Sequence, residues 1–190
     1  MKVGVLALQG DFREHISSLL SLGVDAFEVK TVAQLKSAEA LVIPGGESTT
    51  ISKLAIAFGL MEPIRAAIAQ GLPVYGSCAG MILLSREILD PASAQESFGG
   101  LDISVRRNAF GRQVDSFESD LTFNGTGLHA VFIRAPWVEE VGTGVEVLST
   151  AADHPVAVRQ GALLATSFHP ELTEDLAVHR YFFDEICKGR

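Results

Sequence analysis

The sequence predicts an α/β fold: a mostly parallel central sheet covered by helices on both faces, with an antiparallel extension in the second half. Three observations carry this expectation. Through about residue 90, short apolar runs alternate with segments whose apolar residues recur at helical spacing. The apolar runs are too continuous for a half-solvated sheet and fit strands buried on both faces. Beyond Gly100, extended segments follow one another with only turn-rich spacers between them, which favours antiparallel pairing.

The elements follow in order. Val3 to Leu8 reads as the first strand, and Ile16, Leu19 and Leu20 mark a helix that Gly23 closes. "DAFEV" and "AEALVIP" read as the second and third strands. "ESTTISKLAIAFGL" opens on polar residues suited to capping, Ser48 and Thr49 among them, and continues helical through Ile51, Leu54, Ala55 and Phe58. Pro63 suits the first turn of another helix, carried by Ile64, Ala67 and Ile68 up to Gly71. "LPVYGS" is the next strand and "AGMILLSREIL" the next helix. Residues 91–100 read as loop. "LDISVRR", "AVFIRA", "VEVLST", "PVAVRQ" and "ALLATSF" are strands, with "NGTG" and "VGTG" between some of them. "TEDLAVHRYFFDEIC" closes as a helix with Leu176, Phe183 and Ile186 inward.

The 190 residues, 47% hydrophobic and 20% charged, suffice for one domain with a substantial core and are too few for two large ones, so a single domain over 1–190 is expected. A net charge of −8 argues against nucleic acid as the main partner and against an anionic membrane surface. No apolar run approaches the roughly 18 residues of a spanning helix. The opening "MKVGVLALQGDFREH" reads as a strand rather than a signal peptide. Two cysteines, Cys78 and Cys187, are too few for a disulfide framework, and a cytoplasmic setting with two thiols is expected.

Three stretches carry chemistry. "PVYGSCAGMILL" is strand, sharp turn and helix, with Gly-x-Cys-x-Gly at the turn: a nucleophile elbow with cysteine in place of serine. The glycines fit, because the nucleophile's backbone is strained there and side chains two residues either side would collide. A helix N-terminus favours thiolate, and the N–H of Ala79 can face a developing oxyanion. On its own the motif fits a buried structural cysteine equally well. A nucleophilic cysteine needs a base and an orienter. Of five histidines, His169 in "TSFHPEL" ends an apolar run, and Pro170 makes a rigid corner that could present His169 and Glu171 together. His179 falls on the last helix, His129 and His154 flank turns, and His15 is expected at the surface. "VIPGGESTT" is again strand, glycine turn and helix, and an ordinary capped turn accounts for it. No G-K-[ST] follows, so it is not a phosphate loop. Sites in open parallel sheets form beyond the carboxyl ends of strands, so the turns at Gly45, Cys78 and His169 could converge.

Together, "PGGEST", "GSCAG" and "SFHPE" resemble the class I glutamine amidotransferases. "LALQGDFREH", "RNAFGRQVDSFE", "VFIRAP" and "SFHPELTED" resemble more closely the glutaminase subunits of pyridoxal 5′-phosphate synthase, over Leu6 to Asp175. "DPASAQES" and "NGTGLHA" are not part of the resemblance. It implies a flavodoxin-like three-layer sandwich that hydrolyses L-glutamine to glutamate and ammonia. Cys78 would attack the amide, His169 would carry the proton and Glu171 would orient it. The N–H groups of Gly46 and Ala79 would form the oxyanion hole. Gly46, Glu47, Ser48, Arg107, Ile133 and Arg134 would bind glutamine. Ammonia would pass to a synthase subunit, with no metal or cofactor in the glutaminase. Read without the resemblance, Arg107 and Arg134 are better taken as solvated surface arginines than as partners of a substrate carboxylate. Gln9, Arg13 and His15, after the first strand, would contact the partner or shape the loop at Gly45.

Three rivals remain. One is the glutaminase subunit of another amidotransferase, such as imidazole glycerol phosphate synthase, against which "RNAFGRQVDSFE" speaks. A stand-alone cysteine hydrolase would not need "PGGEST", and a silent binding module would not need Cys78, His169 and Glu171.

Overall fold

A computed structural model describes residues 1–91, 95–110 and 116–189. Its first half contains β1 (Lys2–Leu6), α1 (Phe12–Ser21), β2 (Asp25–Val29), α2 (Val32–Ser37), β3 (Ala40–Ile43), α3 (Ser48–Ala57), α4 (Met61–Ala69), β4 (Val74–Ser77) and α5 (Ala79–Leu84). The rest holds β5 (Ser85–Leu89), β6 (Leu101–Arg106), β7 (Ser116–Phe123), β8 (Thr126–Ile133), β9 (Trp137–Val141), β10 (Glu146–Ala151), β11 (His154–Gln160) and β12 (Leu163–Thr166). A 3-10 turn (Pro170–Leu172) and α6 (Ala177–Tyr181), which widens into a π-helical stretch (Phe182–Cys187), complete the chain.

The central sheet has seven strands in the order β10-β11-β12-β4-β3-β1-β2. Pairings from β12 through β2 are parallel, and those of β10 and β11 are antiparallel. The parallel strands alternate their side chains between two cores, as the pleat requires. Leu41 and Ile43 of β3 face one core with Ile51, Leu60 and Met81 from α3–α5, while Ala40 and Val42 face the other. That second core includes Leu19 of α1, Phe182 at the C-terminus and Phe132 of β8. Each fully buried side chain of this size contributes about 1.5–3 kcal/mol. The antiparallel hairpin β7–β8 turns at Asn124 and Gly125, both at positive φ, as a tight hairpin loop requires. A separate small sheet is ordered β5-β6-β9.

The expected layering, parallel core and antiparallel extension are all present; several local readings need correction. The stretch "AGMILLSREIL" is not one helix: α5 ends at Leu84, and Ser85–Leu89 forms β5, parallel to β6. "ALLATSF", expected among antiparallel partners, has one on one side only; on the other, β12 is parallel to β4 in the middle of the sheet. The C-terminal helix turns Val178, Phe182 and Ile186 fully inward; Leu176 and Phe183 are only partly buried. α3 is capped by Glu47, with Ser48 already helical. The sequence reading omitted α2, β7 and β9. α2 has a capping box, in which Thr31 accepts from the Gln34 N–H and Gln34 reaches back to the Thr31 N–H, and T-x-x-Q was its available signal. His129 lies within β8, between Asp120 and Glu118, rather than beside a turn.

Candidate active site

β3, β4 and β12 lie side by side and parallel, so the turns that leave their carboxyl ends meet at one edge of the sheet. The middle turn holds Cys78 at φ 46°, ψ −97°, a conformation that a non-glycine residue rarely adopts. Its N–H donates to the Thr166 carbonyl of β12 at 2.7 Å, which fixes the turn to the neighbouring strand. The flanking glycines are required by close approach. A Cβ on Gly76 would stand 2.5 Å from the carbonyl carbon of Gly80, and one on Gly80 would stand 2.3 Å from the Ile43 carbonyl oxygen. The Cys78 sulfur lies 4.0 Å from the Ile133 carbonyl oxygen.

His169 follows β12 after Ser167 and Phe168. Its N–H donates to the Val131 carbonyl at 2.9 Å, and Pro170 stiffens the exit. Nδ1 lies 2.8 Å from Glu171 Oε1. A carboxylate only accepts, so Nδ1 carries a proton whatever the charge of the ring, and Nε2 is the nitrogen that gains and loses one. Burial disfavours the imidazolium, but the Cys78 sulfur and the Glu171 carboxylate outweigh it and push the His169 pKa up to about 10. Burial alone would raise the Glu171 carboxyl, yet His15 and then His169 hold it well below the usual carboxylate range. Asp11 Oδ2 stands 3.7 Å from His169 Nδ1. Asp11, His169 and Glu171 bring potential ligand atoms within 4.8 Å of one another, but Nδ1 already serves Glu171.

Cys78 and His169 open into one cavity of about 360 Å³, a size suited to a small polar metabolite. Gly46, Glu47, Ser48, Arg107, Ile133 and Arg134, the residues named above for substrate binding, line it. Glu171 stands behind His169, and Ala79 is the buried first residue of α5. Arg107 Nη2 reaches Glu47 Oε1 at 3.5 Å, so the arginine is part of the site rather than a free surface charge. Glu47 caps α3. Burial would raise its pKa, but donors from Thr49 and Thr50 lower it to about 2. Cavity residues Cys78, Asn108 and Arg134 all have positive φ, so strain is concentrated here.

The turn at Gly45–Gly46 is held by the segment after β1. Asp11 N–H donates to the Gly45 carbonyl at 3.1 Å, and Glu47 N–H donates to Gln9 Oε1 at 2.8 Å. Gln9 therefore shapes this loop, whereas Arg13 is exposed beside the Phe12 ring. The sequence reading passed over Asp11, Asn108 and Ile82 as cavity residues. Its largest error concerns His15, expected at the surface but fully buried against His179, Ser77 and Glu171. The available signal was its place one turn into the helix after β1, directly below the sheet edge. Most of "RNAFGRQVDSFE" can be placed, but residues 111–115 lie outside the described residues.

The fold and this constellation define an α/β protein with a strained cysteine set beside a carboxylate-backed histidine. The chain belongs to the SNO glutamine amidotransferase family, whose profile matches residues 5–188. It is 61% identical over 188 residues to the pyridoxal 5′-phosphate synthase subunit PdxT of Parafrankia sp. (strain EAN1pec), covering 97% of this chain and 93% of that protein. The subunit of the same name from Mycolicibacterium vanbaalenii is 61% identical over 186 residues, covering 95% of each. Among solved structures, one titled a glutamine amidotransferase superposes with a TM-score of 0.92 at 52% identity, covering 99% of both chains. A GMP synthase subunit from Thermoplasma acidophilum gives 0.69 at 17% identity, covering 100% of this chain and 94% of that one, and shares the fold alone.

Proposed function

We propose that this chain, a single amidotransferase domain over residues 1–190, is the glutaminase subunit of a pyridoxal 5′-phosphate synthase. It hydrolyses L-glutamine to L-glutamate and ammonia and delivers the ammonia to a synthase subunit. The observation that carries this reading is Cys78, held at positive φ in the cavity onto which His169 opens, with His169 Nδ1 on Glu171 at 2.8 Å.

The geometry supports the following chemistry. With the Cys78 thiol proton held on His169 Nε2, the sulfur attacks the side-chain amide carbon. The tetrahedral oxyanion is received by the N–H groups of Gly46 and Ala79. His169 then protonates the departing nitrogen, leaving a glutamyl thioester and free ammonia. A water, deprotonated by His169, attacks the thioester, and the proton returns to the Cys78 sulfur as glutamate leaves. Glu171 fixes the tautomer of His169 and supports its positive charge. Arg107 and Arg134 receive the α-carboxylate of glutamine, and Glu47 the α-amino group. No resident metal or cofactor takes part.

Docking of the synthase subunit over the sheet edge that bears Gly46 and Cys78 would couple hydrolysis to ammonia use and keep the ammonia from bulk water. The test is glutamine turnover by this chain alone and with an equimolar synthase subunit. Hydrolysis stimulated by the partner, and abolished by Cys78→Ser, is the expected result. No hydrolysis in either condition by a folded, complexed protein would refute the reading.

A further inference from the structure

Beneath the cavity lies a buried polar cluster that the chemistry above does not use. His15 of α1 and His179 of α6 are both fully buried. His15 Nδ1 is 2.9 Å from His179 Nε2. On its other side, His15 Nε2 is 2.9 Å from Ser77 Oγ and 3.4 Å from Glu171 Oε2. Ser77 immediately precedes the nucleophile, and Glu171 Oε2 is the oxygen that His169 leaves unused. None of His15, Ser77 or His179 lines the cavity. Buried polar side chains cost free energy unless their partners are well arranged, so this cluster asks for an account.

The donor assignments can be worked out. Glu171 is ionised and can only accept, so the facing Nε2 of His15 carries a proton. Nδ1 of His15 then accepts from His179 Nε2–H. That leaves His179 Nδ1 as a lone pair, and this buried atom indeed has no partner among the described residues. An orphaned acceptor is tolerated better than an orphaned donor. Burial pushes the His179 pKa down to about 3, so His179 stays neutral at working pH. The groups facing His15 are therefore Ser77 and Tyr75 from β4, Glu171 from the 3-10 turn, His179 from α6 and Asp11 at the head of its own helix.

We propose that His15 is a positioning residue of the hydrolytic site: its Nε2–H, hydrogen-bonded to Ser77 Oγ, faces the second oxygen of Glu171 at 3.4 Å, and His179 fixes the His15 tautomer that presents this proton. The inference rests on the proposed glutaminase reading. Glu171 is thereby hydrogen-bonded at one oxygen by His169, while the other, which has no hydrogen-bond partner among the described residues, is faced by the His15 N–H. Without His15, the buried Oε2 loses the N–H that faces it and the carboxyl takes up a proton at higher pH. A neutral Glu171 no longer supports the His169 imidazolium.

The test compares His15→Ala, His15→Asn and His15→Gln in the complex with the synthase subunit. The amide nitrogen of glutamine reaches the position of Nε2, whereas that of asparagine stops near Nδ1. His15→Ala and His15→Asn should lower kcat by about 10- to 100-fold with little change in KM, the range seen when outer partners of an active group are removed. Their acid limb in kcat/KM should move to higher pH. His15→Gln should keep the wild-type limb and most of kcat. The pH dependence of Cys78 alkylation by iodoacetamide, in the same proteins, should show the same ordering without any substrate. If the wild type alkylates at Cys78 but hydrolyses no glutamine with its partner, the glutaminase reading fails and the alkylation series still decides the role of His15. Should His15→Ala not fold, the contrast between Asn and Gln decides. Identical pH profiles for those two variants, or a wild-type limb in folded His15→Ala, would overturn the proposal.

Discussion

Gly45→Ala adds one methyl group and should disable the site while sparing the fold. Gly45 is not at positive φ, so alanine brings no backbone strain. Its Cβ, however, would stand 2.4 Å from His169 Cε1 and 2.7 Å from His169 Nδ1, where ordinary contact begins at 3.4 Å. The imidazole must therefore retreat by about 1 Å, because the Gly45 backbone is tied to Asp11 and has little freedom to yield. The His169 main chain is tied to Val131 and Pro170, so the ring must rotate, stretching the 2.8 Å bond to Glu171. A 1 Å misplacement of a catalytic group costs on the order of 100-fold, or about 2.7 kcal/mol of barrier. The accompanying loss of stability should be about 1–3 kcal/mol, the usual cost of overpacking. Steady-state glutamate formation in the complex, with a urea melt of the same protein, measures both. Gly127→Ala is the control, since a Cβ there meets nothing within 4 Å. A Gly45→Ala protein with wild-type kcat/KM would refute the assignment of His169 to the reaction.

Cys78→Ser should abolish turnover with fold and partner binding intact, whereas Cys187→Ser, near the C-terminus, should be close to silent in the same assay. His169→Ala should lose nearly as much activity as Cys78→Ser, and Glu171→Gln less, because the latter changes charge and orientation rather than the proton carrier; kcat for the three variants orders them. Gly46→Val should cost about 100-fold or more in kcat, because φ of +147° and a Cβ only 2.6 Å from Gln9 Oε1 force the donor N–H out of place. Glu47 has its pKa lowered to about 2 on folding, so its capping contribution is present above the unfolded value of 4.5 and is lost as pH falls from there toward 2. Urea midpoints at neutral and acid pH should therefore differ less for Glu47→Gln than for the wild type.

The parallel half of the sheet was legible because its strands are buried on both faces and read as unbroken apolar runs. Cys78 was legible because its backbone conformation demands the glycines around it. Convergence of three turns followed from the rule that sites lie at the carboxyl ends of parallel strands. Apart from α2 and β7, whose capping box and hairpin partner are local, what escaped was non-local. "SREIL" carries helical residues, but pairing with β6 holds Ser85–Leu89 extended. β9 gave little periodicity, and its partner β6 lies 30 or more residues away. His15 looked like a surface residue because a histidine among charged neighbours usually is one. Its partners come from β4, the turn after β12 and α6, and no local pattern announces contacts with residues 62 and 164 positions away.

The most direct test of the account is to catch the covalent intermediate. The complex, mixed with glutamine and quenched in acid within one turnover, should yield a glutamyl adduct on the peptide that contains Cys78, seen by mass spectrometry. The adduct should be absent from Cys78→Ser and from the Cys187 peptide. Glutamine hydrolysed at full rate with no adduct at Cys78, or by Cys78→Ser itself, would contradict the claim that this cysteine is the nucleophile.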